Sequence, residues 1–193
     1  MTVHKFVAAA AAVALSCNAA PALAADLAFS GSVTGISTGG PDASCAPLPF
    51  RTMIAPATTV GTSSLGDFSY SSNICQGGGP VEGTFAIDFV NGSISGTQVG
   101  TATPTSTAGL FNLLLNYNIL EGTGDFLGAT GSFMGVGTAD SRTPPTQVSL
   151  ALNGTIHAPA VPESATWALM LLGFCGVGMA LRRSRTPSIQ QVL

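Results

Sequence analysis

Few residues of this chain could carry acid–base or covalent chemistry. The sequence holds two histidines, His4 and His157. A serine or cysteine nucleophile needs a base of that kind beside it. His157 closes an alternating apolar stretch and is followed by Ala158-Pro159-Ala160, which is the setting of a solvated histidine at a strand end. Glu121 and Asp125 flank Gly122-Thr123-Gly124, and paired carboxylates are what glycoside hydrolysis uses. Carboxylates in a turn are more simply solvated, and no Trp or Tyr platform for a sugar stands near them. Calcium at Glu121, Asp125 or Asp140 is a further reading, but the repeating Asp-x-Asp spacing of calcium loops is missing. Thr101, Thr103 and Thr105 alternate as on a flat ice-binding strand, although a Thr-rich linker explains them more simply. Asn91-Gly92-Ser93 and Asn153-Gly154-Thr155 match a glycosylation sequon by form only. No catalytic, cofactor or metal site is assigned, and a non-enzymatic protein is expected.

The cysteines carry one clear signal. Of four, Cys17 and Cys175 fall in the two apolar ends, leaving Cys45 and Cys75 between them. An even pair in an oxidising compartment predicts one disulfide, with two free thiols as the alternative. No Cys-x-x-Cys and no nearby histidine supports zinc.

The elements that would position these residues are strands. Phe111, Leu113, Leu115, Tyr117 and Ile119 alternate with Asn112, Leu114, Asn116 and Asn118, a period of two. Val148, Leu150, Leu152 and Ile156 repeat the pattern, and Leu27, Phe29 and Val33 open a weaker version. Phe85, Ile87 and Phe89 run to Asn91-Gly92, with Ser93 to Val99 following. That dipeptide predicts a type I′ turn and a β-hairpin. No helical stripe lies between residues 26 and 160. About eight short strands with one apolar face each predict an all-β, antiparallel sandwich or small barrel.

Charge narrows the partners. Charged residues make up 8% of the chain, against about 25% in an average soluble domain. Residues 26–160 hold two arginines, Arg51 and Arg142, and eight carboxylates, a net −6. A nucleic-acid binder needs a basic face, so nucleic acid is excluded as a partner.

The two ends address the chain. Lys5, an apolar run from Phe6 to Leu15, and Ala22-Leu23-Ala24 before Ala25-Asp26 predict a signal peptide over 1–25, cleaved after Ala24 or Ala25. A lipoprotein site at Cys17 is the alternative. Residues 165–181 are uncharged and apolar, then Arg182, Arg183 and Arg185 follow. As a helix the run would rise about 25 Å, a marginal span of a hydrocarbon layer about 30 Å thick. Trp167 suits the interfacial aromatic belt, and the arginines place the C-terminus in the cytoplasm. The predicted organisation is therefore signal peptide 1–25, β-rich passenger 26–157, spacer 158–164, membrane helix 165–181 and basic tail 182–193.

Val161-Pro162-Glu163-Ser164-Ala165-Thr166-Trp167-Ala168, then Gly173, Gly176, Gly178 and Arg182-Arg183, resemble the PEP-CTERM sorting signal, in the subtype with Trp-Ala after Pro-Glu-Pro. Ser164 replaces the second proline, and Ser184 to Leu193 extend past the usual end. The resemblance implies a Gram-negative, biofilm-forming source, export through the Sec translocon, and processing by an exosortase, a membrane transpeptidase-like enzyme. It also implies passage through the inner membrane to the cell surface or outside, with exopolysaccharide as a possible partner. It concerns sorting and leaves the passenger's activity open. Residues 119–137, with Gly122-Thr123-Gly124-Asp125-Phe126-Leu127-Gly128-Ala129, resemble the turn-and-strand of allene-oxide-cyclase-like and dirigent-like barrels. The two expectations are an envelope or matrix protein, and a small secreted barrel that binds an apolar ligand or acts as an enzyme of that type. A deep apolar pocket with inward polar groups favours the second.

Overall fold

Strand alternation between residues 25 and 158 closes into one cylinder. The computed structural model describes residues 25–159 and 170–178. Eight strands follow one another: β1 (Ala25–Pro41), β2 (Phe50–Ser63), β3 (Gly66–Gln76), β4 (Pro80–Phe89), β5 (Gly92–Pro104), β6 (Leu110–Gly122), β7 (Thr130–Asp140) and β8 (Thr146–Ala158). Each pairs antiparallel with the next, and β8 returns to β1 from Ala25↔Ala158 to Ser37↔Thr146. Of the two closures expected, the barrel forms; joining the first strand to the last leaves no open edge.

The expected core faces are the observed ones. Leu113, Leu115, Tyr117 and Ile119 on β6, Val148, Leu150, Leu152 and Ile156 on β8, and Phe85, Ile87 and Phe89 on β4 are all buried. Phe29 and Val33 of β1 join them, with Leu27 partly buried against the cluster.

Two local readings are corrected. The β4–β5 hairpin forms, but Phe89 pairs with Gly92, so Val90 and Asn91 make the turn. Among the described residues no non-glycine has positive φ, so the primed turn expected of Asn91-Gly92 does not occur. The Thr-rich linker is also a strand: Thr101 pairs with Pro80 and Leu114, and Thr103 with Asn112, at the end of β5.

The two barrel ends differ. At one, β2–β3 and β4–β5 turn tightly, and the β6–β7 connection carries a 3-10 turn, Gly124–Phe126, whose Phe126 is buried beneath the barrel. From this plug an aromatic chain climbs the interior. Phe126 meets Phe89 at 4.9 Å between centroids, Phe29 meets Phe133 at 5.1 Å, and Phe133 stacks on Tyr117 at 4.5 Å. Such contacts add about 0.5–1.5 kcal/mol each beyond their buried area. Gly135 leaves the room that Tyr117 occupies: a Cβ there would lie 2.8 Å from its ring.

At the other end lie the longer loops between β1 and β2, β5 and β6, and β7 and β8, and the Gly77-Gly78-Gly79 turn between β3 and β4. Residues 170–178 form a helix with Met170, Leu171, Leu172, Phe174 and Val177 exposed. Among the described residues no helix is long and apolar enough to cross a membrane. The rest of the predicted 165–181 span lies outside the described residues.

Candidate functional site

On β5 and β7 the side chains facing the barrel interior shrink from the plugged end to the open one. The inward positions of β7 read Phe133, Gly135, Gly137, Ala139, and those of β5 read Ile94, Gly96, Gln98, Gly100, Ala102. On β3 Phe68 and Tyr70 give way to Ser72. The taper leaves a cup of about 500 Å³ opening at the long-loop end. Its wall is mainly apolar, with Ile74, Val81, Leu113, Val148 and Leu150, while Ser37, Thr52 and Ser72 add hydroxyls. This is the concave, mostly apolar site with a few polar groups that small-molecule pockets share.

The floor is a buried polar chain. Tyr70, Tyr117 and Gln98 are 2%, 1% and 1% exposed. The Gln98 amide nitrogen donates to the Thr84 carbonyl at 3.3 Å. A carbonyl can only accept, so the amide orientation is fixed and Oε1 faces Tyr70. The Tyr70 hydroxyl therefore donates to Gln98 Oε1 at 3.0 Å, and Tyr117 donates to the Tyr70 hydroxyl at 3.2 Å. Burial raises the pKa of Tyr70, partly offset by its hydrogen-bonding neighbours Tyr117, Ser72 and Gln98. Burial, with Tyr70 beside it, holds Tyr117 well above its ordinary value. Both phenols are neutral.

An interruption in β2 holds Tyr70 in place. The β2–β3 register breaks between Ile54 and Gly61, around Pro56, whose missing N–H suits a bulge. There the Thr59 hydroxyl accepts from the Tyr70 backbone N–H at 2.9 Å and lies 3.1 Å from the Tyr70 carbonyl. One side chain thus replaces the lost strand pairing and fixes the floor.

Both described arginines are engaged beside the open end. Arg51 bonds Asp42 at 2.6 Å, Ser44 at 2.6 Å and Asn73 at 3.0 Å; Arg142 bonds Asp140 at 2.6 Å. Hydrogen bonds from Ser44, then Arg51, lower the Asp42 pKa to about 2, and those from Arg142 lower Asp140 to about 2. No carboxylate, imidazole, ammonium or guanidinium lines the cup among the described residues; its one ionisable group is the Tyr70 phenol.

The expected pair Cys45 and Cys75 is joined, with Cα atoms 5.4 Å apart. It ties the 3-10 turn Ala43–Cys45 to the end of β3, beside the mouth. A disulfide fits the oxidising compartment of an exported protein.

The other candidates scatter. His157 pairs with Asp26 at 2.6 Å across β8 and β1, at the plugged end. Asp125 accepts from the Asn91 side-chain amide at that end, whereas Asp140 sits at the opposite one. No group of three or more potential metal ligands forms among the described residues. Ala25 begins β1, and Gly173 lies in the exposed helix. Ala24, Val161, Pro162, Glu163, Trp167, Arg182, Arg183 and Arg185 lie outside the described residues.

The cup and its floor were missed in the sequence. Their signal was available as the fall from Ile94 on β5 and Phe133 on β7 to mostly glycine and alanine along the inward positions of those strands. No protein-family model, curated protein or solved structure matches this chain.

Proposed function

We propose that the chain is an exported binding protein whose barrel holds one small, predominantly apolar molecule. In this reading the Sec translocon and an exosortase acting on the PEP-CTERM-like tail deliver it to the cell surface or extracellular matrix. The observation that carries the binding role is the cup of about 500 Å³, open at one end of a barrel whose other end is filled. Among the described residues the cup carries no carboxylate, imidazole, ammonium or guanidinium, and this supports binding ahead of the allene-oxide-cyclase-like enzyme.

The test uses Nile red, a neutral dye that brightens when it leaves water. The full chain, held in amphipol, should show saturable brightening. Ala102→Trp, which places an indole in the cup, should remove the saturable part. Equal brightening in the two proteins would overturn the binding role.

A further inference from the structure

The floor discriminates among apolar ligands by their polar end, and this inference rests on the cup being a binding site. Gln98 spends one amide hydrogen on Thr84 and one Oε1 lone pair on Tyr70. An amide has two hydrogens and two carbonyl lone pairs. One of each is therefore without a protein partner among the described residues, on a side chain that is 1% exposed and borders the cup. A donor and an acceptor side by side match a primary amide in a reciprocal pair, or a hydroxyl that both gives and takes.

The same floor is hostile to charge. A carboxylate there would lose its water without meeting a cation, because Arg51 and Arg142 are bound to Asp42 and Asp140 and neither lines the cup. Burying an uncompensated charge costs far more than burying a hydrogen-bonded neutral group. Nor does the Tyr70–Tyr117 pair supply a positive group; its hydroxyls are already committed to each other and to Gln98.

We infer that the ligand enters polar end first, that this end is uncharged and both donates and accepts hydrogen bonds, and that Gln98 is the residue that reads it. The ligand class is then aliphatic or isoprenoid amides and alcohols, and excludes free fatty acids.

Three chains of equal length test this at pH 8: decanamide, decanol and decanoate, each displacing Nile red from the full chain in amphipol. Displacement counts only where it exceeds that in Ala102→Trp. Decanamide and decanol should act at concentrations about tenfold or more below decanoate. Gln98→Lys places a cation at the floor and should reverse the order in favour of decanoate. Should that variant not fold, the wild-type order decides alone. Decanoate equal to or better than decanamide in the wild type, or an unchanged order in folded Gln98→Lys, would overturn the inference while leaving the cup a binding site. Loss of any difference between wild type and Ala102→Trp would overturn the binding role itself.

Discussion

Tyr70→Phe and Tyr117→Phe remove the same atom from the same cluster, yet they should differ in cost. Tyr117 only donates, to the Tyr70 hydroxyl at 3.2 Å. Removing its oxygen leaves Tyr70 still donating to Gln98, so one hydrogen bond is lost and nothing is stranded. That is worth about 1 kcal/mol. Tyr70 stands in the middle of the chain. Its loss strands the Tyr117 hydroxyl and the Gln98 Oε1, and each buried unpartnered group costs about 1–3 kcal/mol. Gln98 keeps its bond to the Thr84 carbonyl, so its amide stays anchored, while the Tyr117 hydroxyl has only a phenyl ring facing it. The expected cost of Tyr70→Phe is therefore about 2–3 kcal/mol, near the sum of one full and one partial penalty. The double variant removes the stranded Tyr117 hydroxyl, so it should cost less than the two singles added, with a coupling of about 1–2 kcal/mol. Urea unfolding of the four proteins, followed by far-ultraviolet circular dichroism, measures these differences. Tyr117→Phe costing as much as Tyr70→Phe, or strictly additive effects, would refute the direction of the hydrogen-bond chain.

Three further outcomes are expected. Replacing Cys45 and Cys75 by alanine frees a loop of sequence separation 30 and should lower stability by roughly 3–4 kcal/mol in the chain-entropy model, read by the same unfolding curves; no change would mean the loop is held otherwise. Asp42 and Asp140 have folded pKa values depressed from 3.8 to about 2, so their contribution is present above the unfolded value and lost as pH falls through the folded one. The amide resonances of Ser44 and Arg142, which donate to those carboxylates, should titrate with midpoints near 2, and midpoints near 3.8 would contradict the hydrogen bonding. Pro162→Ala with Glu163→Ala should block processing in a host that has the cognate exosortase, judged by the size of the surface-released chain, and normal release would contradict the sorting assignment.

How much of this was legible depended on what each strand buries. β4, β6 and β8 put large apolar side chains inward at every second position or nearly so, and their pattern is visible at a glance. β5 and β7 border the cup with Gln98, Ala102 and Ala139, and most of their other inward positions are glycine. The requirement that makes a cavity, small side chains facing in, erases the contrast by which a strand is recognised. The end of β5 therefore read as a Thr-rich linker, although Thr101 and Thr103 sit in continuous ladders. Closure was invisible for a different reason. Pairing Ala25 with Ala158 joins the first strand to the last, and nothing local to either strand separates a barrel from a sandwich. Phe126 was hidden in a Gly-rich turn whose burial depends on the aromatic cluster above it.

The same division of the interior explains how the barrel can keep an open cup without collapsing. A void among separate helices or sheets closes by small shifts of the elements, but a hydrogen-bonded cylinder has its diameter set by strand number and stagger. Here the plugged half holds that diameter with aromatic rings, and at the open end the Cys45–Cys75 bond and the Arg51 cluster pin the longest loop. The apolar wall of the cup is then left without contacts it could make, a loss comparable to that of large-to-small core substitutions, about 20 cal/mol per Å² of cavity surface. A molecule that fills the cup recovers those contacts with little rearrangement of the strands, so binding should raise the unfolding midpoint as ligand concentration exceeds its dissociation constant. The wall thus supplies affinity for any apolar body of the right size. Selectivity in this reading comes from the polar groups that border the cup, with the Gln98 amide at the floor meeting the ligand's polar end.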